Sequence, residues 1–211
     1  MLADLKVLEK PAREPLAFED VADYLHSTSC QENFVRFVML TSRQLLESRL
    51  GVAFFRQKLQ ATFEFRHLPT DLAVTLPANW TWRPLLCQLP RPPLSSIELM
   101  EIENQPGSWE PLVNADPNVP MYWLWDQFPA IVGVNYTAFN IWQPGITQRY
   151  MSALPRIRAT FYCGWDDVDD IPEKYLLLLQ QTIAWNYLQS ETGGLPPELK
   201  LSILAERVFD L

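Results

Sequence analysis

The stretch Leu85–Ile102, LLCQLPRPPLSSIELMEI, divides the chain. Leu85–Leu89 is a short apolar run. Pro90, Pro92 and Pro93 each fix φ and remove an N–H, which sets a stiff, extended corner. Beyond it, Ile97 to Ile102 interleaves apolar and polar side chains and predicts a strand. Two strands joined by such a corner can pass between sheets or edges, but they cannot close a tight hairpin. The sequence before the corner reads mainly as helix. The sequence after it reads as β-structure until one late helix.

Working back from the corner, a half-buried antiparallel strand is expected. Leu59, Ala61, Phe63 and Phe65 alternate strictly with Lys58, Gln60, Thr62, Glu64 and Arg66. Pro69 ends it, and Leu72, Val74 and Leu76 suggest a further short strand. Upstream, Phe18, Val21, Ala22 and Leu25 fall at i, i+3, i+4 and i+7 and predict a short helix. Ser29 and Glu32 form a capping box for a second helix, which runs to Leu50 and stops at Gly51. Phe34, Val35, Val38, Met39, Leu45, Leu46 and Leu50 share about half of its circumference. Phe37 and Leu40 lie outside that arc, which leaves two readings open: a wide buried face, or contact with another subunit. Residues 1–16, ending in Pro11 and Pro15, are expected to form an arm.

Thirteen of the eighteen prolines lie between Pro69 and Pro155, and residues 16–68 hold none. That shift marks the boundary between helices and a loop-rich β module, which also carries most of the tryptophans. Asn104–Gly107 is a turn signal and Asn114–Pro120 a loop. Met121–Trp125 reads as a strand or an aromatic loop, and a strand is expected within Ala130–Phe139. Arg156–Cys163 is a clearer strand, with Ile157, Ala159, Phe161 and Cys163 on one side. The acids from Asp166 to Glu173, with Pro172, suit the positive end of a helix over 172–192.

That helix is apolar all round. Leu176, Leu179, Ile183 and Tyr187 make one stripe, and Tyr175, Leu178 and Trp185 lie on the far side. A second buried face can be supplied by a neighbouring subunit. After Gly193-Gly194 and Pro196-Pro197, the tail places Leu201, Leu204, Ala205 and Val208 at helical spacing. Leu199, Ile203 and Phe209 lie nearby. So apolar a tail must dock, in its own domain or on a partner. The expected fold class is α+β: a helical pair (17–51), a Pro/Trp-rich antiparallel β module (52–165) and a long helix (172–193). These form one domain over 17–194, flanked by the arm (1–16) and the tail (195–211).

The composition bounds the chemistry. The 211 residues are 48% hydrophobic, enough for a real core. A formal charge of -8 and a pI of 4.8 argue against a broad phosphate-binding face. No apolar run is long enough to span a bilayer. The charged start at Asp4 and Lys6 does not suit a signal peptide, so secretion by that route is not expected. Cys30, Cys87 and Cys163 are far apart and fit free thiols in a reducing compartment. There is no nucleophile elbow, P-loop, dinucleotide fingerprint or zinc-protease motif, and only His26 and His67 among the histidines. No catalytic, cofactor or metal residues are therefore expected. The acids Asp166, Asp167, Asp169, Asp170 and Glu173 lack the glycine and distal glutamate of a calcium loop, so a helix-cap role leads.

With these parts in order, the chain resembles the head–tail connector proteins, or neck adaptors, of tailed bacteriophages. Leu16–Leu25 is similar to the family's opening helix, with its late Tyr24-Leu25. Leu45–Gly51 resembles the close of its second helix. Leu89-Pro90-Arg91-Pro92-Pro93-Leu94-Ser95-Ser96-Ile97 is similar to its "L-P-R-x-P-V-x-S-V" corner. Phe161-Tyr162-Cys163-Gly164-Trp165, then Ile171-Pro172 and the long helix, resembles its "Y-x-A-G-Y … V-P" finish. The resemblance covers Leu16 to Thr192. Residues 105–150 are longer and more aromatic than the pattern, and Leu195–Leu211 matches no family motif.

The resemblance implies a non-enzymatic virion protein, assembled from the host cytoplasm into the head–tail neck. There it would form a ring, about twelve-fold, that docks under the portal and extends the DNA channel. The implied partners are further copies of the chain, the portal protein, and a downstream stopper or tail-terminator protein. DNA would pass without specific binding, and no cofactor or membrane is implied. In this frame Leu199, Leu201, Ile203, Leu204, Val208, Phe209 and Leu211 are candidates for portal contact. Phe37, Leu40, Leu178 and Trp185 are candidates for subunit contact, and Trp123 and Trp125 for the distal neck contact. Two alternatives remain. One is a tail-completion or stopper protein. The other is a carbohydrate-binding β-sandwich with Trp80, Trp82, Trp123 and Trp125 as its platform.

Overall fold

The alternation that begins at residue 58 becomes a strand in the computed structural model, which describes residues 2–27, 31–64, 85–105, 107–113, 121–125, 128–134, 156–188 and 194–208. The fold is α+β. The strands are β1 (Leu2–Glu9), β2 (Gln57–Glu64), β3 (Leu85–Gln88), β4 (Leu94–Gln105), β5 (Ser108–Pro111), β6 (Tyr122–Trp125), β7 (Ile131–Val134) and β8 (Arg156–Cys163). The helices are α1 (Phe18–Tyr24), α2 (Glu32–Leu50), α3 (Glu173–Leu188) and α4 (Pro197–Ala205). The strand expected at Leu72–Leu76 and the loop at Asn114–Pro120 lie outside the described residues. The chain folds as two compact units. One gathers Met1–Glu9, Lys58–Pro90 and Leu94–Tyr162; the other gathers Lys10–Gln57, Arg91–Pro93 and Cys163–Leu211.

The first unit is built of strands. One sheet has the order β1-β2-β8-β4-β5 and the other the order β3-β7-β6. β1 pairs antiparallel with β2, β5 with β4, and both β3 and β6 with β7. The proline corner thus joins strands of different sheets, as its stiffness requires. It is not extended throughout, since Arg91 has φ +57°. In β2 Leu59, Ala61 and Phe63 are buried, and in β8 Ile157, Ala159, Phe161 and Cys163 are buried. The polar face of β8 carries cross-strand ion pairs. Arg158 grips Glu101 with two hydrogen bonds, at 2.7 and 2.8 Å, and lies 4.2 Å from the Trp109 ring centroid. Residues 2–9, read as an arm, form β1, an edge strand held by pairing to β2 and mostly exposed. Its charges interrupt the alternation, so its side chains do not announce it.

The second unit is built around α2. Val35, Met39, Leu46 and Leu50 bury one face, together with Tyr175, Leu179 and Ile183 of α3. Gly51 closes α2 with φ +72°, its N–H donating to Glu47 O at 3.0 Å. Ser29, the expected cap, lies outside the described residues. The observed N-cap is Gln31, and Glu32 instead accepts from Arg36 Nε at 2.9 Å. The tail is not a free appendage. Leu195, Leu199 and Ile203 belong to the same core, and Val208 N donates to Leu50 O at 2.9 Å. This corrects the expectation for α3: Tyr175 and Leu178, on its far side, are buried within the unit itself.

Candidate interaction surface

The local order of the helical unit begins with a buried charge network. The Glu47 carboxylate accepts from Phe54 N at 3.0 Å, Arg43 Nη1 at 3.0 Å and Gln57 Nε2 at 3.4 Å. Arg43 Nε donates to Glu14 at 2.7 Å. Burial pushes the Glu47 carboxyl above its ordinary value, against the opposing pull of Arg43 and the Phe54 N–H. Arg43 has its proton held more tightly than usual: burial opposes this, but the Glu14 hydrogen bond and the Glu47 charge outweigh it. These bonds tie the last turns of α2 to the segment leading into β2.

A second constraint lies at the Gly164-Trp165 motif. Gly164 has φ +100°, and a Cβ there would lie 2.2 Å from Phe55 O. Only glycine permits that approach. Arg56 N donates to Trp165 O at 3.1 Å, and Gly164 N to Pro93 O at 2.8 Å. The corner prolines therefore serve as acceptors: Pro92 O also receives Ala53 N at 3.1 Å.

With its buried face fixed, α2 turns a second face outward. Phe34, Phe37 and Arg49 are exposed on it, and the half-buried Leu45 and the core residue Val38 lie beside them. They line, with Trp185 of α3, an open groove of about 400 Å³. Phe37 is 60% exposed. Trp185 is held in the wall by donating Nε1–H to Gly194 O at 2.6 Å, and Asn186 by donating to Ser42 Oγ at 2.8 Å. Leu40 lines a different depression, with Phe18, Arg36 and Met39. Of the four residues expected at a subunit contact, Phe37 and Trp185 come together, Leu40 stands apart, and Leu178 is core.

The C-terminal candidates split as well. On α4, Leu199 and Ile203 point into the core, whereas Leu201 and Leu204 are 66% and 59% exposed. Val208 is partly buried against the core, and Phe209 and Leu211 lie outside the described residues. In β6, Trp123 and Trp125 are half-buried. The Trp125 ring covers Gly133 so closely that a Cβ there would lie 2.5 Å from it. Trp80 and Trp82 of the sugar-platform reading are outside the described residues.

The acidic loop is used for ion pairing. Arg13 meets Asp167 at 2.7 Å and Arg56 meets Asp166 at 3.5 Å. Among the described residues no group of acids, cysteines and histidines is arranged to hold a metal ion. Cys87 and Cys163 are buried, and burial raises both thiols far above their ordinary value. No helix among the described residues is long and apolar enough to cross a membrane.

No protein-family model matches the sequence, and no curated protein matches it. Solved structures do share the fold. A chain from the neck of an empty gene transfer agent particle, computed with C6 symmetry, matches at a TM-score of 0.65 and 12% identity. The match covers 99% of this chain and 97% of that one. A chain from the virion of a native gene transfer agent particle matches at 0.63 and 11% identity, over 97% and 95% of the two chains. A third, from the neck of a native particle computed with C12 symmetry, matches at 0.56 and 15% identity, over 99% and 97%. The fold of this chain, over nearly its full length, is the fold of those virion chains.

Proposed function

We propose that this chain is a structural subunit of the neck of a tailed, phage-like particle, where it forms a ring beneath the portal that joins head to tail and extends the DNA channel. The observation that carries the reading is the full-length agreement of its fold with chains from gene transfer agent necks. That those necks were computed with C6 and C12 symmetry supports a ring. The charge of -8 suits a channel wall that DNA slides past without binding. The chain works by shape and assembly, with no reaction of its own.

Leu199 and Ile203 are committed to the core, so the portal contact is assigned to the end of the chain, at Phe209 and Leu211. Trp123 and Trp125 are assigned to the joint with the next neck or tail protein. Particles assembled without this chain test the reading. DNA-filled heads and unattached tails are expected; normally tailed particles would overturn it. In the same assay Trp123→Ala with Trp125→Ala should lose tail attachment, and retained attachment would remove those residues from the joint.

A further inference from the structure

We infer that the groove between α2 and α3 receives the exposed ridge of α4 from a second copy of this chain. The inference deepens the ring reading: it names the two surfaces that meet, and it rests on that reading only for the closure of the ring. The groove is apolar and aromatic, with Phe34 and Phe37 exposed by 39% and 60%. Neighbouring phenylalanines left open to water mark a contact surface. The ridge is Leu201 and Leu204, on the side of α4 opposite Leu199 and Ile203.

The charges are complementary. Arg49 stands at the C-terminal end of the groove wall. Glu198 precedes Leu201 by one turn on the ridge. Neither has an ion-pair partner among the described residues. The lengths also agree. Phe37 to Arg49 spans about 18 Å of helix and Glu198 to Leu204 about 9 Å, so the ridge fits within the groove.

The ridge cannot fill the groove of its own chain, because Leu199 and Ile203 pin α4 into the core and Val208 N binds Leu50 O. Groove and ridge are different surfaces, each present once per chain. Their contact is therefore head-to-tail, the kind that closes into a ring or runs on as a filament.

The test uses the full chain and three sets of variants, each checked for fold by circular dichroism and sized by analytical ultracentrifugation. Phe37→Glu blocks the groove and leaves the ridge intact. Leu201→Glu with Leu204→Glu does the reverse. Each alone should lose self-association, whereas a mixture of the two should give a heterodimer, since one good groove and one good ridge remain. Arg49→Glu and Glu198→Arg should each weaken association by about tenfold, and the double exchange should restore it. Rings that persist in all blocked variants would overturn the inference and leave the neck reading standing. Variant-sensitive assembly in a chain that never engages a portal would uphold the inference and remove the neck reading. A wild-type chain that forms no ring either alone or on the portal, or blocked variants that fail to complement, would overturn the inference.

Discussion

At the scale of single residues, two positions do more than their residue types suggest. Gly164 is the glycine of the Phe161–Trp165 motif, and the close passage of the Phe55 backbone explains why a side chain is forbidden there. Its place is visible in the sequence, directly after the alternation of Arg156–Cys163. Glu47 is the opposite case. A wheel drawn on hydrophobicity leaves Arg43 and Glu47 outside the apolar arc, yet the structure buries both. Their partners, Glu14, Phe54 and Gln57, come from elements that periodicity cannot bring together. Glu47→Ala strands the Phe54 N–H and the Gln57 amide, and leaves Arg43 with Glu14 alone. The expected cost is about 3 kcal/mol, the low end for breaking a buried pair, because Glu14 still holds Arg43. Denaturant unfolding measures it, and a loss below about 1 kcal/mol would mean that water replaces the missing carboxylate.

At the scale of elements, the helices and strands with a strong period were legible. α2, β2 and β8 lie where their patterns put them. β1 was not, because its side chains are mostly exposed and only its pairing to β2 defines it. α4 was legible as a helix but not in its orientation. Its spacing singles out Leu201, Leu204 and Val208, whereas the core takes Leu199 and Ile203. A helix apolar on every side carries no signal for which side is inward. Removing residues 195–211 would therefore open the core of the helical unit, so point changes are the informative probe. Leu199→Ala and Ile203→Ala should each cost about 2–5 kcal/mol. Leu201→Ala and Leu204→Ala should stay within about 0.5 kcal/mol. Thermal or urea unfolding of the four variants distinguishes the two faces, and equal costs at all four positions would contradict the placement of α4.

At the scale of the whole molecule, the α+β architecture is shared with chains of gene transfer agent necks and virions at 11–15% identity. In this chain the architecture rests on the proline corner between sheets, the glycine at the strand-to-helix turn, and the apolar faces of α2 and α3. These short motifs are also what the sequence showed. The interaction surfaces were only half visible. Phe37 stands out because it falls off the buried arc of α2. Its complement on α4 becomes visible only once the fold assigns Leu199 and Ile203 inward. The most direct measurement of the central claim is the mass of the purified chain by light scattering, alone and after mixing with the portal protein of its own particle, with the products imaged in negative stain. The account predicts a ring, either formed by the chain alone or added as a single layer to the portal. A chain that remains monomeric and leaves the portal bare would contradict it.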